Sequence, residues 1–133
     1  MAQGLAVRLP LKINEIDGAY ETHKDLISMA EQNLKMLILT SKGERCMSPN
    51  FGVGIRKYLF EQNAPGVIAG LKADILAQTA RYLPYISITD LQVYSPALVT
   101  DPESTNNTQI NISITYIIPA ANIGSNLTIP VAA

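Results

Sequence analysis

A peptidoglycan hydrolase, a thiol enzyme, a metalloprotein and an anion binder each demand particular side chains at particular spacings. Glycoside hydrolysis needs two carboxylates held across one bond, one of them kept protonated by an apolar setting. The eleven acids, Glu15, Asp17, Glu21, Asp25, Glu31, Glu44, Glu61, Asp74, Asp90, Asp101 and Glu103, are scattered, and most fall where caps or solvated faces account for them. Glu44 stands out because it precedes Arg45 and Cys46 in a loop, where an ion pair or a backbone hydrogen bond holding the loop is its simplest role. His23 is the single histidine, so a multi-histidine metal site is excluded, and its place in the first turn of a helix makes it a surface residue. Cys46 has no second cysteine to pair with and reads as a small buried hydrophobe. A Cys46–His23 nucleophile pair lacks a third, orienting group. Gly52-Val53-Gly54 ahead of a helix could offer N–H groups to an anion, but it lacks the third glycine and the preceding strand of a dinucleotide fingerprint. Turn glycines are the better account. Arg45, Arg56, Lys57 and Arg81 lie near loop or helix ends, too sparse for a nucleic-acid footprint and suited to ion pairs within the chain or with a partner.

The elements that must position these residues follow from composition and period. With 133 residues, 47% of them hydrophobic, 16% charged and a formal net charge of −1, the chain reads as one ordinary globular domain. A chain of this length buries about two-thirds of its surface, so a core forms without a metal or disulfide. The near-neutral balance gives no pull toward phosphate backbones or anionic membranes. The start is not basic-then-apolar and no long apolar run occurs, so neither export nor membrane spanning is expected.

Leu5, Val7, Leu9 and Leu11 alternate with Ala6, Arg8 and Pro10, the period of a strand that Pro10 confines to an edge. Beyond a turn at Asp17-Gly18, Thr22 as cap, with Asp25 at the third position, opens a helix over 23–38. Its apolar face is Leu26, Ile27, Ala30, Leu34, Leu37 and Ile38. Cys46 to Gly52 form an ordered loop pinned by Phe51, and a short helix covers 54–61. Asn63 or Ala64 opens a longer helix with Pro65 in its first turn and Val67, Ile68, Leu71, Ile75, Thr79 and Tyr82 on its buried side, and Pro84 stops it. In a strand over 86–94, Ile86 and Ile88 share one parity and Leu91 and Val93 the other, which predicts a bulge near Asp90. A strand over 108–118 sets Ile110, Ile112, Ile114, Tyr116 and Ile118 on one face and Gln109, Asn111, Ser113 and Thr115 on a wet one. The segment 95–107 is a loop, 122–125 a flexible stretch and 126–131 a short strand. Tyr58, Tyr82 and Tyr116 fall at apolar-face positions and read as core or interface anchors. The class is α+β, a single domain over 1–133. A small antiparallel or mixed sheet packs on two or three helices, with strand-like arms at about 1–12 and 119–133.

The ordered string Leu9-Pro10-Leu11-Lys12-Ile13, Asp17-Gly18, a helix, Leu39-Thr40-Ser41-Lys42-Gly43-Glu44-Arg45, Met47-Ser48-Pro49-Asn50-Phe51-Gly52 and Tyr58-Leu59-Phe60-Glu61 resembles a known family. It is similar to the small, lysozyme-like baseplate-wedge proteins of contractile-tailed phages, which include the sheath initiator and the type VI secretion baseplate component. The likeness runs from about Leu5 to Val93 and is carried by order and spacing, with Gly43, Glu44, Arg45, Pro49, Phe51 and Gly52 as the motif loop. Where the family has Glu-Pro-Arg after its last long helix, this chain has Leu83-Pro84-Tyr85. The resemblance implies that this segment docks on the helical core bundle of the wedge, here through Leu83 and Tyr85 instead of charges. It also implies a domain like the sheet domain of the tail-sheath protein, with sheet edges that accept or donate strands when the first sheath ring is laid down. The exchange candidates are Leu5, Val7 and Leu9 in the N-terminal arm and Leu127, Ile129 and Val131 in the C-terminal segment. Both are expected to be poorly anchored until a neighbour pairs with them.

The implied role is a structural, noncatalytic protein of the virion's tail baseplate, assembled in the host cytoplasm. Its partners would be the tail-sheath protein, the wedge core-bundle proteins and, beyond them, hub or tube-proximal proteins. No cofactor, nucleic acid, membrane or small-molecule substrate is expected. The alternative is a peptidoglycan-degrading baseplate enzyme, which two acids facing each other across a cleft would favour. A small-ligand module built on the 41–54 loop is a third reading and requires a pocket there.

Overall fold

The computed structural model describes residues 4–16, 18–61, 65–94 and 109–132. Asp17 of the first turn, the Asn63 or Ala64 helix opening, Thr108 and the loop over 95–107 lie outside them. Strands β1 (Ala6–Val7) and β2 (Thr22–His23) form a two-stranded antiparallel sheet. Helices α1 (Leu26–Leu39), α2 (Ile55–Leu59) and α3 (Pro65–Tyr82) pack on a three-stranded sheet of β3 (Ser87–Tyr94), β4 (Gln109–Ile118) and β5 (Ile123–Ala132), in the order β3-β4-β5 and antiparallel throughout. The α+β expectation holds.

The core is the meeting of one sheet face with three helix stripes. Ile110, Ile112, Ile114, Tyr116 and Ile118 of β4 are all buried, joined by Ile129 and Val131 of β5. Opposite them lie Ala30, Leu34, Leu37 and Ile38 of α1, spaced as one helical face, and Leu71, Ile75 and Thr79 of α3. Each isoleucine removed from water contributes roughly 1.5–3 kcal/mol, so the β4 row alone is a major share of the driving force. The bulge in β3 is real: the register shifts between Ile88 and Asp90, leaving Thr89 unpaired and returning Leu91 and Val93 to the half-buried side.

Two element boundaries differ from expectation. Helix α1 starts at Leu26, not at 23, because Thr22 and His23 are taken by β1 as ladder partners of Val7 and Ala6. Asp25 is the N-cap residue but makes no side-chain cap bond. The C-terminal segment is no short strand behind a flexible stretch. Four residues, 119–122, turn the chain, with Asn122 at φ 51°, and pairing then runs unbroken from Ile118↔Ile123 to Gln109↔Ala132. The expectation of a loosely anchored C-terminal arm is therefore overturned. Leu127 is half-buried, Ile129 and Val131 are in the core, and β5 is a full member of the main sheet.

Candidate functional site

The motif loop begins where α1 ends. Thr40 closes the helix by giving both its N–H and its hydroxyl to the Met36 carbonyl, at 3.0 and 2.6 Å. The chain then leaves through Ser41 and returns alongside the helix end, where Val53 N–H meets Leu37 C=O at 3.1 Å and Gly54 N–H meets Thr40 C=O at 2.9 Å. These bonds satisfy carbonyls that a helix terminus leaves open. Gly52 has φ +104°, and a Cβ there would stand 2.2 Å from the Thr40 carbonyl oxygen, so the return path admits only glycine. With Gly52 N–H donating to Gln78 Oε1, all three amides of Gly52-Val53-Gly54 are committed internally and none is left for an anion.

Gly43, at φ +88°, gives its N–H to the Pro49 carbonyl at 2.8 Å and closes the loop across its base. Glu44 Oε2 accepts the Ser41 N–H at 2.9 Å, the backbone hydrogen bond that the sequence suggested. Closure at Gly43 and Pro49 leaves the intervening residues outside. Cys46 is exposed and Met47 is 95% exposed, which corrects the expectation of a buried Cys46. Phe51 alone turns inward, meeting Tyr82 edge to face at 5.0 Å, with the Arg45 guanidinium 4.4 Å from its ring centroid. Arg81 lies 5.3 Å from the Tyr82 centroid.

Two glutamines hold extended segments in the same way. Gln78 accepts from Gly52 N–H and donates to Asn50 C=O, each at 3.2 Å. Gln32 accepts from Leu9 N–H at 2.8 Å and donates to Val7 C=O at 2.9 Å. Each primary amide pairs with the C=O of one residue and the N–H two residues on, standing in for a partner strand. Gln32 Oε1 also meets His23 Nε2 at 2.8 Å, which puts the imidazole proton on Nε2. His23 is thus a half-buried strand residue, not the helix-surface histidine expected, and its Nε2 is occupied. No sequence period signals these glutamines, because a helix-borne Gln looks the same wherever it points.

Leu83 is 8% exposed and packs mainly into the core, while it also lines a groove along α1. The turn carries it inward as Leu83 N–H bonds Thr79 C=O and Ile86 N–H bonds Leu83 C=O. Pro84 stays exposed, and the half-buried Tyr85 hydroxyl accepts from Asn33 Nδ2 at 2.8 Å.

Several of the described acids are engaged, each at its own place. Glu21 pairs with Arg8 at 2.8 Å, Glu31 Oε1 accepts from Ser125 Oγ at 3.0 Å, and Asp74 Oδ2 accepts from the buried Tyr58 hydroxyl at 2.7 Å with Lys42 and Lys57 at 3.8 Å. Burial, then the Asp74 hydrogen bond and charge, pushes the Tyr58 hydroxyl well above its ordinary pKa. Of the clefts along α1, one of about 540 Å³ has Glu44 as its one carboxylate and one of about 500 Å³ has Glu31. A third, of about 410 Å³, has Asp25 and the Arg8-paired Glu21. Among the described residues no group of three or more His, Cys, Asp or Glu could hold a metal ion, and no helix is long and apolar enough to cross a membrane.

Residues 26–122 match the family described as baseplate wedge protein gp25. The chain belongs to that family. The gp25 match spans α1, the motif loop, α2, α3, β3 and β4, and leaves both the N-terminal arm and β5 outside it. The same fold is found in the cryo-EM structure of the anti-feeding prophage baseplate, with TM-score 0.68 and 21% identity over 89% of this chain and 86% of that one. A Geobacter sulfurreducens protein provisionally named a tail lysozyme is similar too, with TM-score 0.67 and 19% identity over 84% of this chain and 95% of that one. No curated protein matches the chain. As a gp25-family member it has a structural role in a baseplate, beside other baseplate proteins.

Proposed function

We propose that the chain joins the baseplate wedge to the first tail-sheath ring, without catalysis, and that a strand of the tail-sheath protein adds to the free edge of β5. One observation carries this reading. In the order β3-β4-β5, β5 is paired on one side only among the described residues, so its outward backbone donors and acceptors along Ile123–Ala132 are open to a partner strand. Each added rung satisfies such groups, and alternate side chains fix the register. Pro130 has no N–H and is tolerated at an edge when it faces outward; it blunts the C-terminal end of β5 and leaves 123–129 as the usable template. The core-bound side chains of Leu127, Ile129 and Val131 thus anchor the template and are not themselves donated. Leu5, Val7 and Leu9, exposed and held by a two-residue ladder and Gln32, remain the part of the chain available for donation.

Thr128 shares the parity of Pro130, so Thr128→Pro removes an outward donor while sparing the ladder to β4. The expected outcome is a monomer with nearly unchanged melting temperature whose baseplates no longer start sheath. Sheath rings forming at normal efficiency on such baseplates would refute the reading. Docking on the core bundle is assigned to Pro84 and Tyr85, and Tyr85→Ala should reduce wedge assembly while the monomer stays folded. Noncatalytic action is supported by the engagement of the acids noted above. In the two larger clefts a single carboxylate has no second acid opposite it, whereas glycoside cleavage needs a pair. The place of action is the tail baseplate of the particle, reached by assembly in the host cytoplasm.

A further inference from the structure

The groove of about 540 Å³ between the arm, α1 and the motif loop has an apolar floor made by Met36, Phe51, Tyr82 and Leu83. Met36 is 45% exposed on α1, away from the core stripe. The groove's own polar groups are already committed: Gln32 to the arm, Asn33 to Tyr85 and Glu44 to the Ser41 N–H. That leaves little to fix a small polar ligand. What remains is charge: Arg45 in the lining, the Glu44 carboxylate held at the Ser41 N–H, and Arg81 outside the lining on the Tyr82 ring. Arg45 lies over Phe51 and Arg81 over Tyr82, the two rings touch edge to face, and neither guanidinium has an ion pair among the described residues. Stacking on a ring orients a guanidinium without neutralising it, and keeps its in-plane donors available to a carboxylate.

We propose that this groove docks a segment of another protein in which aliphatic side chains are flanked by carboxylates. Met36, Phe51 and Tyr82 take the aliphatic groups, and Arg45 and Arg81 take the carboxylates. An apolar floor supplies affinity, while the two oriented cations supply the choice of partner. The proposal rests on the baseplate reading for the existence of a protein partner. It is separable from the β5 edge, because Thr128→Pro leaves the groove untouched.

The test uses the full chain and fluorescein-labelled twelve-residue peptides carrying two leucines flanked by two glutamates, with Gln and Lys counterparts, read by fluorescence anisotropy. The Glu peptide should bind about tenfold more tightly than the Gln peptide, an advantage that shrinks as salt is raised. Arg45→Gln combined with Arg81→Gln should erase that advantage, Arg45→Lys should keep most of it, and Met36→Glu should weaken the Glu and Gln peptides alike. Thermal melts of each variant separate lost docking from lost folding. Equal binding of the three peptides, no binding of the Glu peptide at millimolar concentration, or an advantage that survives the double Gln variant would overturn the proposal. So would a dimer that the same substitutions dissolve, since the groove would then belong to a second copy.

Discussion

Leu9 and Leu11 in the N-terminal arm stay 45% and 59% exposed, whereas Ile129 and Val131 at the other end of the chain fall to 2% and 6%, although both segments alternate in the same way. The difference lies in what each end finds to pair with. β5 follows β4 through a four-residue turn, so closing its ladder costs little chain entropy, and each inward side chain arrives over α1 and α2. Among the described residues the arm finds a two-residue strand, β2, and beyond it the amide of Gln32, the Arg8–Glu21 ion pair and backbone bonds to Glu21 and His23. Alternation announces a strand. The length of ladder and the face beneath it decide whether that strand is core or strap.

The strongest way to break this comparison is Ile129→Ala. It should lower unfolding free energy by about 2–5 kcal/mol in urea titration, because it opens a cavity against β4 and α1. Loss of residues 119–133 would remove Ile129, Val131 and a whole ladder, so a folded monomer is not expected from that truncation, contrary to a reading of the tail as a detachable arm. A cost below about 1 kcal/mol for Ile129→Ala would place β5 with the arm after all.

Gln32→Ala probes the other end at smaller scale. It frees Val7 C=O, Leu9 N–H and the His23 ring, and should cost about 1–2 kcal/mol locally. Hydrogen exchange should speed up over residues 5–9 and 21–23 while β4 amides keep their protection. Acceleration that spreads into β4 would mean that the arm and core unfold as one unit.

The finest test sits on the β4–β5 seam. Tyr116 pairs with Ser125 in register and is fully buried, yet its hydroxyl has no hydrogen bond of ordinary geometry, the Ser125 hydroxyl being only a loose neighbour. Burial pushes its pKa above the ordinary 10.0, with Glu31 and Tyr85 pushing the same way and Ser125 pulling it back. A raised folded-state pKa means that the associated stability is present below about pH 10 and is lost as pH rises beyond it. Tyr116→Phe deletes an unsatisfied polar atom, so stability at pH 7 should be unchanged or higher by up to about 1 kcal/mol, with a shallower alkaline decline. Tyr58 is raised in the same direction and keeps part of that decline in the variant. A loss of more than 1 kcal/mol at pH 7 would show that the hydroxyl holds the seam.

Much of this molecule is legible without coordinates. The isoleucine row of β4, the parity switch near Asp90, the stripe of α1 and the stop at Pro84 are dictated by period and by the chemistry of single residues, and the structure repeats them. A loop-holding role for Glu44, by ion pair or backbone bond, and Phe51 as the loop's anchor were also visible, because a turn rich in Gly and Pro with one aromatic has few ways to bury it. The burial of Leu83, the exposure of Cys46, the half-buried His23 and the two glutamine clamps were not. Each depends on which direction a side chain takes once distant elements arrive, and side-chain type alone carries no such direction. The pairing of β5 was decided in the same way. Local sequence specifies what can form a strand, but only the assembled fold specifies which backbone groups are already satisfied and which edge is left open.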